Sequence, residues 1–212
     1  MKYKFVHIPK TGGSYFLHVC KKFDLPVLFG VGHQFICSNK TDYRNITIIR
    51  DPAERFISAY NQYIHGTSEW GEDQKTPLPL GPETILDLTY RGLLTEKILQ
   101  SNFVYAIHFK KQISWVRPAI GRNTILVYYS DSLRREIQEL CDFLRFDVNT
   151  LNDNRVNYPL GKELTPESLP KKIKDKINFV YKQDYDLFYN IDRNRKAFYK
   201  VIGDIDGQKN AM

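Results

Sequence analysis

Lys2-Tyr-Lys-Phe-Val-His-Ile-Pro-Lys-Thr-Gly-Gly-Ser-Tyr-Phe16 reads as a short strand, a glycine loop carrying one lysine, and the start of a helix. The apolar run Phe5, Val6, Ile8 suits a buried strand. Pro9 ends the ladder because it has no N–H to donate. Gly12 and Gly13 let the backbone approach a ligand without a Cβ in the way. Ser14 opens the next helix, so unsatisfied backbone N–H groups and the positive end of a helix dipole face the loop. Lys10 adds a mobile positive charge, and together these features suit a phosphate or sulfate.

Alone, the same residues also describe an ordinary strand-to-helix turn with a solvated lysine. The spacing differs from the nucleotide-triphosphate P-loop, in which the lysine follows the glycines; here Lys10 precedes them. The loop therefore says "anion", and a second stretch has to say which.

That stretch is Ile48-Ile-Arg-Asp-Pro-Ala-Glu-Arg-Phe-Ile-Ser-Ala-Tyr60. Asn45 to Ile49 is apolar and β-branched, the clearest strand in the chain. Asp51 is a good N-cap and Pro52 a good first residue for a helix running through Phe56, Ile57, Tyr60 and Tyr63 to Ile64. Arg50 at the strand end offers a planar fork of donors to a phosphate, and Ser58 a hydroxyl to share it. A local ion pair of Arg50 with Asp51 or Glu54 is the alternative reading.

Around these two stretches the spacing predicts a helix over Tyr15 to Phe23 and a strand over Leu25 to Phe29. His65 to Pro82 is expected as a long surface loop, followed by helices over Glu83 to Leu99 and Phe103 to Val116. Thr124 to Tyr129 is a strand, and Ser130 or Asp131 caps a helix through Leu133, Ile137, Leu140 and Leu144. Asp147 to Glu163 is irregular. A long helix starts at Thr165-Pro166 or Ser168 and resumes over Tyr185 to Tyr189. Strands alternating with helices predict an α/β domain with a mainly parallel central sheet covered by helices. Ligands of such sheets sit at the carboxyl ends of the strands, where Lys10, His33, Arg50 and Ser130 fall. We expect a single domain over residues 1–192 and a polar tail over 193–212.

The chain has 212 residues, enough for one domain with a sizeable core, and its 42% apolar fraction is that of a folded protein. No apolar run reaches the ~20 residues that span a bilayer, and no signal-peptide pattern is visible, so a soluble cytoplasmic protein is expected. Cys20, Cys37 and Cys141 are odd in number and widely spaced, against a disulfide framework and in favour of a reducing compartment. The net charge of +7 favours acidic ligands. The basic residues are scattered, with no basic arm or nucleic-acid motif, so nucleic acid is not an expected partner. No cluster has metal-ligand spacing, and no metal is expected.

Taken together, Phe5-Val-His-Ile-Pro-Lys-Thr-Gly-Gly-Ser14 resembles the 5′-phosphosulfate loop of the Golgi-type glycan sulfotransferases, and Ile49-Arg-Asp-Pro-Ala-Glu-Arg-Phe-Ile-Ser58 resembles their 3′-phosphate motif. Weaker likeness extends through Ile98 to Ala106, Trp115, Thr124 to Val127 and Leu133 to Phe146, as far as Tyr181 to Phe188. The uronosyl 2-O-sulfotransferase branch is the nearest in character. The resemblance implies a P-loop-NTPase-like three-layer fold and the donor 3′-phosphoadenosine 5′-phosphosulfate (PAPS), leaving as 3′-phosphoadenosine 5′-phosphate (PAP). It implies that Lys10, Thr11, Gly12, Gly13 and Ser14 hold the 5′-phosphosulfate, with Lys10 on the bridging oxygen. Arg50 and Ser58 would hold the 3′-phosphate, and Asn157 or Lys162 would close over the donor.

Sulfonate transfer needs in-line placement, charge stabilisation on the leaving phosphate and a base. His33, in Val31-Gly-His-Gln34, follows the second strand and resembles the Gly-His segment that carries the base in the uronosyl branch. Histidine as a residue type accepts protons near neutrality. A turn histidine is the plainer alternative; His7, Glu54 and Glu83 are weaker candidates for the base. The acceptor is expected to be a hydroxyl of a carbohydrate, met by His65, Tyr105 and Trp70, the last either as a stacking platform or equally as an anchor that packs its loop down. Golgi members carry a membrane anchor and stem, and neither is expected here. The rival readings are a nucleotide-dependent kinase on the same fold and a non-catalytic binder of sulfated or phosphorylated polymers.

Overall fold

The computed structural model describes residues 2–29, 43–65, 80–94, 103–116, 124–129, 132–149, 151 and 164–189. His33, Trp70, Asn157 and Lys162 lie outside the described residues, as do Cys37, Ser130 and Asp131. The chain divides into two compact units, the first built from Met1–Arg50, Gln112–Val156 and Asp186–Met212, the second from Asp51–Lys111 and Asn157–Tyr185.

The first unit holds a parallel four-stranded sheet in the order β2-β1-β3-β4. Its strands are β1 (Lys2–Val6), β2 (Val27–Phe29), β3 (Tyr43–Arg50) and β4 (Thr124–Tyr129). Tyr3 pairs with Val27 and with Arg44, and Arg50 pairs with Tyr129. Helices α1 (Gly13–Lys22) and α6 (Leu133–Leu144) join this unit. Alternation along the strands puts Phe5, Val27, Ile46, Ile48, Ile125 and Val127 on one face. There they pack with Phe16, Val19 and Cys20 of α1 and Ile137, Leu140 and Cys141 of α6. Val6, Thr47, Ile49 and Leu126 on the other face are buried as well, as expected for a sheet with both faces covered. This is the parallel α/β architecture that the alternation of elements predicts.

Two boundaries in this unit differ from the sequence reading. The amide of Leu25 donates to the carbonyl of Cys20 (2.9 Å), and Asp24 sits at φ +48°. Leu25 therefore closes α1 and the strand starts only at Val27. The cap of α6 is Ser132, whose hydroxyl accepts from the amide of Arg135.

The second unit is helical: α2 (Pro52–His65), α3 (Pro82–Tyr90), α4 (Phe103–His108), α7 (Lys171–Val180) and the first turn of α8 (Lys182–Tyr189). Asp51 caps α2 as predicted, its carboxylate accepting from the amides of Ala53 (2.8 Å) and Glu54 (3.0 Å). Phe56, Ala59, Tyr60 and Tyr63 of α2 pack with Ile85 and Leu86 of α3, Ile173, Ile177 and Val180 of α7, and Phe109. The Tyr181 hydroxyl donates to the carbonyl of Phe109 (2.8 Å), and the buried Arg55 guanidinium donates to that of His108 (2.9 Å).

Those two bonds explain why the helix expected over Phe103 to Val116 stops at His108. Side chains have taken the carbonyls that a further turn needs, and a separate short helix, α5 (Ile113–Val116), follows in the first unit. Likewise α3 ends at Tyr90 and not near Leu99, because Gly92 takes φ +70° and Leu93 turns back to donate to Leu88. The last long helix begins at Lys171. Before it, Thr165 and Ser168 exchange side chain–backbone bonds in a closed turn, and Pro170 supplies the carbonyl that starts α7.

Cys20 and Cys141 are buried in the first core, and burial pushes both thiols up to about 12. At pH 8 both should stay protonated and resist iodoacetamide in the native protein, reacting only after denaturation. Peptide mass spectrometry resolves each cysteine; native-state labelling of either would contradict this packing.

Candidate anion site at the carboxyl edge of the sheet

Between Val6 and Gly13 the chain leaves the sheet and begins a helix. Lys10 (φ +66°) and Gly12 (φ +86°) both take the left-handed conformation, at no steric cost for glycine but at some cost for lysine. The Thr11 side chain is fully buried, and its hydroxyl donates to the carbonyl of Ile8 (2.8 Å). Any contribution of Thr11 to an anion is thus through its backbone. Gly12 is the N-cap of α1, its carbonyl accepting from the amides of Tyr15 and Phe16. The first N–H groups of α1 have no acceptor within the helix, and Ser14, exposed on that first turn, lies where the sequence puts it.

Gly13 is confined by packing, and Gly12 chiefly by its left-handed backbone. A Cβ on Gly12 would collide with Leu133 of α6, and one on Gly13 with the imidazole of His7. That ring stacks on Phe5 at 5.7 Å. His7 thus lies against the start of α1 rather than serving only as a strand residue.

Arg50 ends β3, the strand beside β1, so its side chain leaves the sheet on the same edge as the loop. Its Nη1 donates to the carbonyl of Lys10 at 3.5 Å, and the guanidinium lies 4.6 Å from the ring centroid of Tyr129 at the end of β4. Its backbone is held by Gln112: Nε2 donates to the Arg50 carbonyl (2.8 Å), and Oε1 accepts from the Arg50 amide (3.0 Å). Gln112 is only 1% exposed.

The structure therefore brings together Lys10 to Ser14 and Arg50, and adds Tyr129 and Gln112, which the sequence reading did not single out. Ser58 is half-buried on α2 and belongs to the second unit. Arg55, also unremarked in sequence, is a buried structural residue of that unit. His65 and Tyr105 fall on α2 and α4. Glu54 is exposed in the first turn of α2. Glu83 is ion-paired with Lys172 (2.9 Å), whose hydrogen bond and charge hold the carboxyl below its ordinary value, a poor setting for a base. Among the described residues no group of His, Cys, Asp and Glu is arranged to hold a metal ion.

At the carboxyl edge of the parallel sheet a left-handed glycine loop, a helix N-terminus and an arginine come together, features of an α/β domain that in general suit phosphate- or sulfate-like groups. The chain belongs to the sulfotransferase family: residues 5–190 match the profile described as "Sulfotransferase family". Its reaction class is accordingly sulfonate transfer. Comparison with curated proteins finds none that matches the chain. Among the described residues no helix is long and apolar enough to cross a membrane.

Gly13→Ala tests the packing. A helical position ordinarily gains about 0.5–1 kcal/mol from alanine, whereas forcing a methyl into a filled space costs about 1–3 kcal/mol. The clash should win, so chemical denaturation should show net destabilisation. His7→Ala in the same chain should recover most of it, with the two changes clearly non-additive. A G13A protein as stable as wild type would refute the close approach.

Proposed function

We propose that the protein transfers a sulfonate from PAPS to a hydroxyl of a carbohydrate acceptor. The observation that carries this reading is the Arg50 guanidinium, at the end of β3, bonded to the carbonyl of Lys10 in the loop that leads from the neighbouring strand β1 into α1. The donor set fits a nucleotide bearing two anionic groups: first-turn amides, a lysine and an arginine. PAPS supplies an activated sulfonate and, as its product, the 3′,5′-bisphosphate PAP.

In this reading the Lys10 ammonium and the amides of Gly12, Gly13 and Ser14 hold the 5′ group and meet the negative charge that grows on its bridging oxygen. Arg50 takes the 3′-phosphate with its planar fork of donors. Ser58 shares that phosphate, and Asn157 and Lys162 close over the nucleotide; these three roles rest on the sequence pattern alone. His33 accepts the proton of the acceptor hydroxyl, and Trp70, with His65 and Tyr105, meets the sugar. Residues 1–192 act as one catalytic domain and 193–212 as an appendage.

The test is transfer of radiolabelled sulfate from PAPS to a panel of glycans and simpler hydroxyl compounds. Lys10→Ala should lower kcat by about 10²–10³-fold, the usual loss on removing one preorganised charge donor. Arg50→Ala should weaken PAP about 10–100-fold, as expected for charged hydrogen bonds. His33→Ala should abolish turnover and leave PAP affinity intact. Phosphate transfer from ATP with none from PAPS would overturn the assignment in favour of a kinase. PAP affinity unchanged in both K10A and R50A would overturn the site.

A further inference from the structure

Gln112 is a buried amide whose two ends both engage one residue. Its nitrogen and oxygen hold the carbonyl and amide of Arg50, the residue where β3 stops. β1 aligns with β3 only as far as Thr47, opposite Val6, so the last residues of β3 run beyond that neighbour. Gln112 provides, from a side chain, the pair of bonds that an adjoining strand would have made. Its own main chain is anchored independently: its carbonyl accepts from the amides of Trp115 (2.9 Å) and Val116 (3.3 Å) and so starts α5. β3 in turn is paired with β4 from Asn45 to Arg50. α5 and the pairing of β3 with β4 are each anchored by other bonds, and what the Gln112 amide adds is partners for the Arg50 backbone.

We propose that Gln112 is a positioning residue for 3′-phosphate recognition, locking the Arg50 backbone so that its guanidinium stays between the Tyr129 ring and the Lys10 carbonyl. The proposal rests on the donor assignment above, with Arg50 as the 3′-phosphate ligand. A long side chain carries rotamer freedom that binding must otherwise remove. Holding Cα of Arg50 in place, with the guanidinium against a ring face and a carbonyl, leaves a narrow set of orientations before any nucleotide arrives.

The readout is the ratio of affinities for PAP and for 5′-AMP, which lacks the 3′-phosphate, measured by calorimetry on the full chain. Wild type should prefer PAP by about tenfold or more, since charged hydrogen bonds to one phosphate are worth that much. Gln112→Met keeps the length and apolar volume without either bond; it should cut the preference about tenfold while AMP affinity stays put. Gln112→Asn, a methylene shorter and unable to span both atoms, should lose part of it. A preference retained in both variants, or PAP and AMP weakened equally, overturns the proposal, because a purely structural residue would act on both ligands alike. Failure of both variants to fold also overturns it. No preference in wild type would instead refute the two-phosphate reading on which it stands.

Discussion

The turn from β1 into α1 has to be made in the few residues between Val6 and Gly13, and everything at the sheet edge depends on how it is made. Two left-handed residues, Lys10 and Gly12, reverse the chain, and the Thr11 hydroxyl ties the reversal back to Ile8. Thr11 is fully buried, so its hydroxyl needs an internal partner, and the Ile8 carbonyl needs a donor once Pro9 has ended the strand. One bond answers both requirements. The outcome is that the N-terminal amides of α1 and the Lys10 residue are presented at the carboxyl edge of the sheet, at the end of a strand buried on both sides.

A parallel sheet makes the second half of the site nearly inevitable. Neighbouring parallel strands end on the same edge, so whatever closes β3 stands beside whatever follows β1. Arg50 closes β3, and its guanidinium reaches the Lys10 carbonyl; Tyr129 closes β4 in register with Arg50 and offers its ring. The cationic edge is therefore a consequence of register. With a net charge of +7, the chain also has the sign that favours acidic ligands.

Local signals made much of this legible. The apolar runs of β1, β3 and β4, the Asp51-Pro52 helix start and the stripe Leu133, Ile137, Leu140 all encode their element within a few residues of chain. The failures share a cause in contacts distant along the sequence. Nothing near His108 announces that Arg55 and Tyr181 will take the carbonyls at the end of α4, yet those bonds break the helix expected over Phe103 to Val116. Gln112 is invisible for the same reason, since a glutamine following Lys110-Lys111 gives no hint of a strand terminus more than sixty positions earlier. The end of α3 is different: Arg91-Gly92 is a stop signal readable within a few residues of chain.

The glycines of the loop bear on how the site works as well as how it folds. A glycine in an anion loop is usually explained by the ligand, which needs the backbone close. Here each position is already closed by the protein itself, Gly12 by Leu133 and Gly13 by the His7 ring on Phe5. A loop packed on both sides against its own core has little conformational freedom of its own. Its amides are oriented by α1, its reversal is fixed by the bond from Thr11 to Ile8, and its carbonyl at Lys10 already accepts from Arg50. Electrostatic stabilisation of developing charge is strongest when the donors need no reorganisation at the moment of reaction. The packing that forbids a side chain at Gly12 and Gly13 is the same packing that supplies that rigidity.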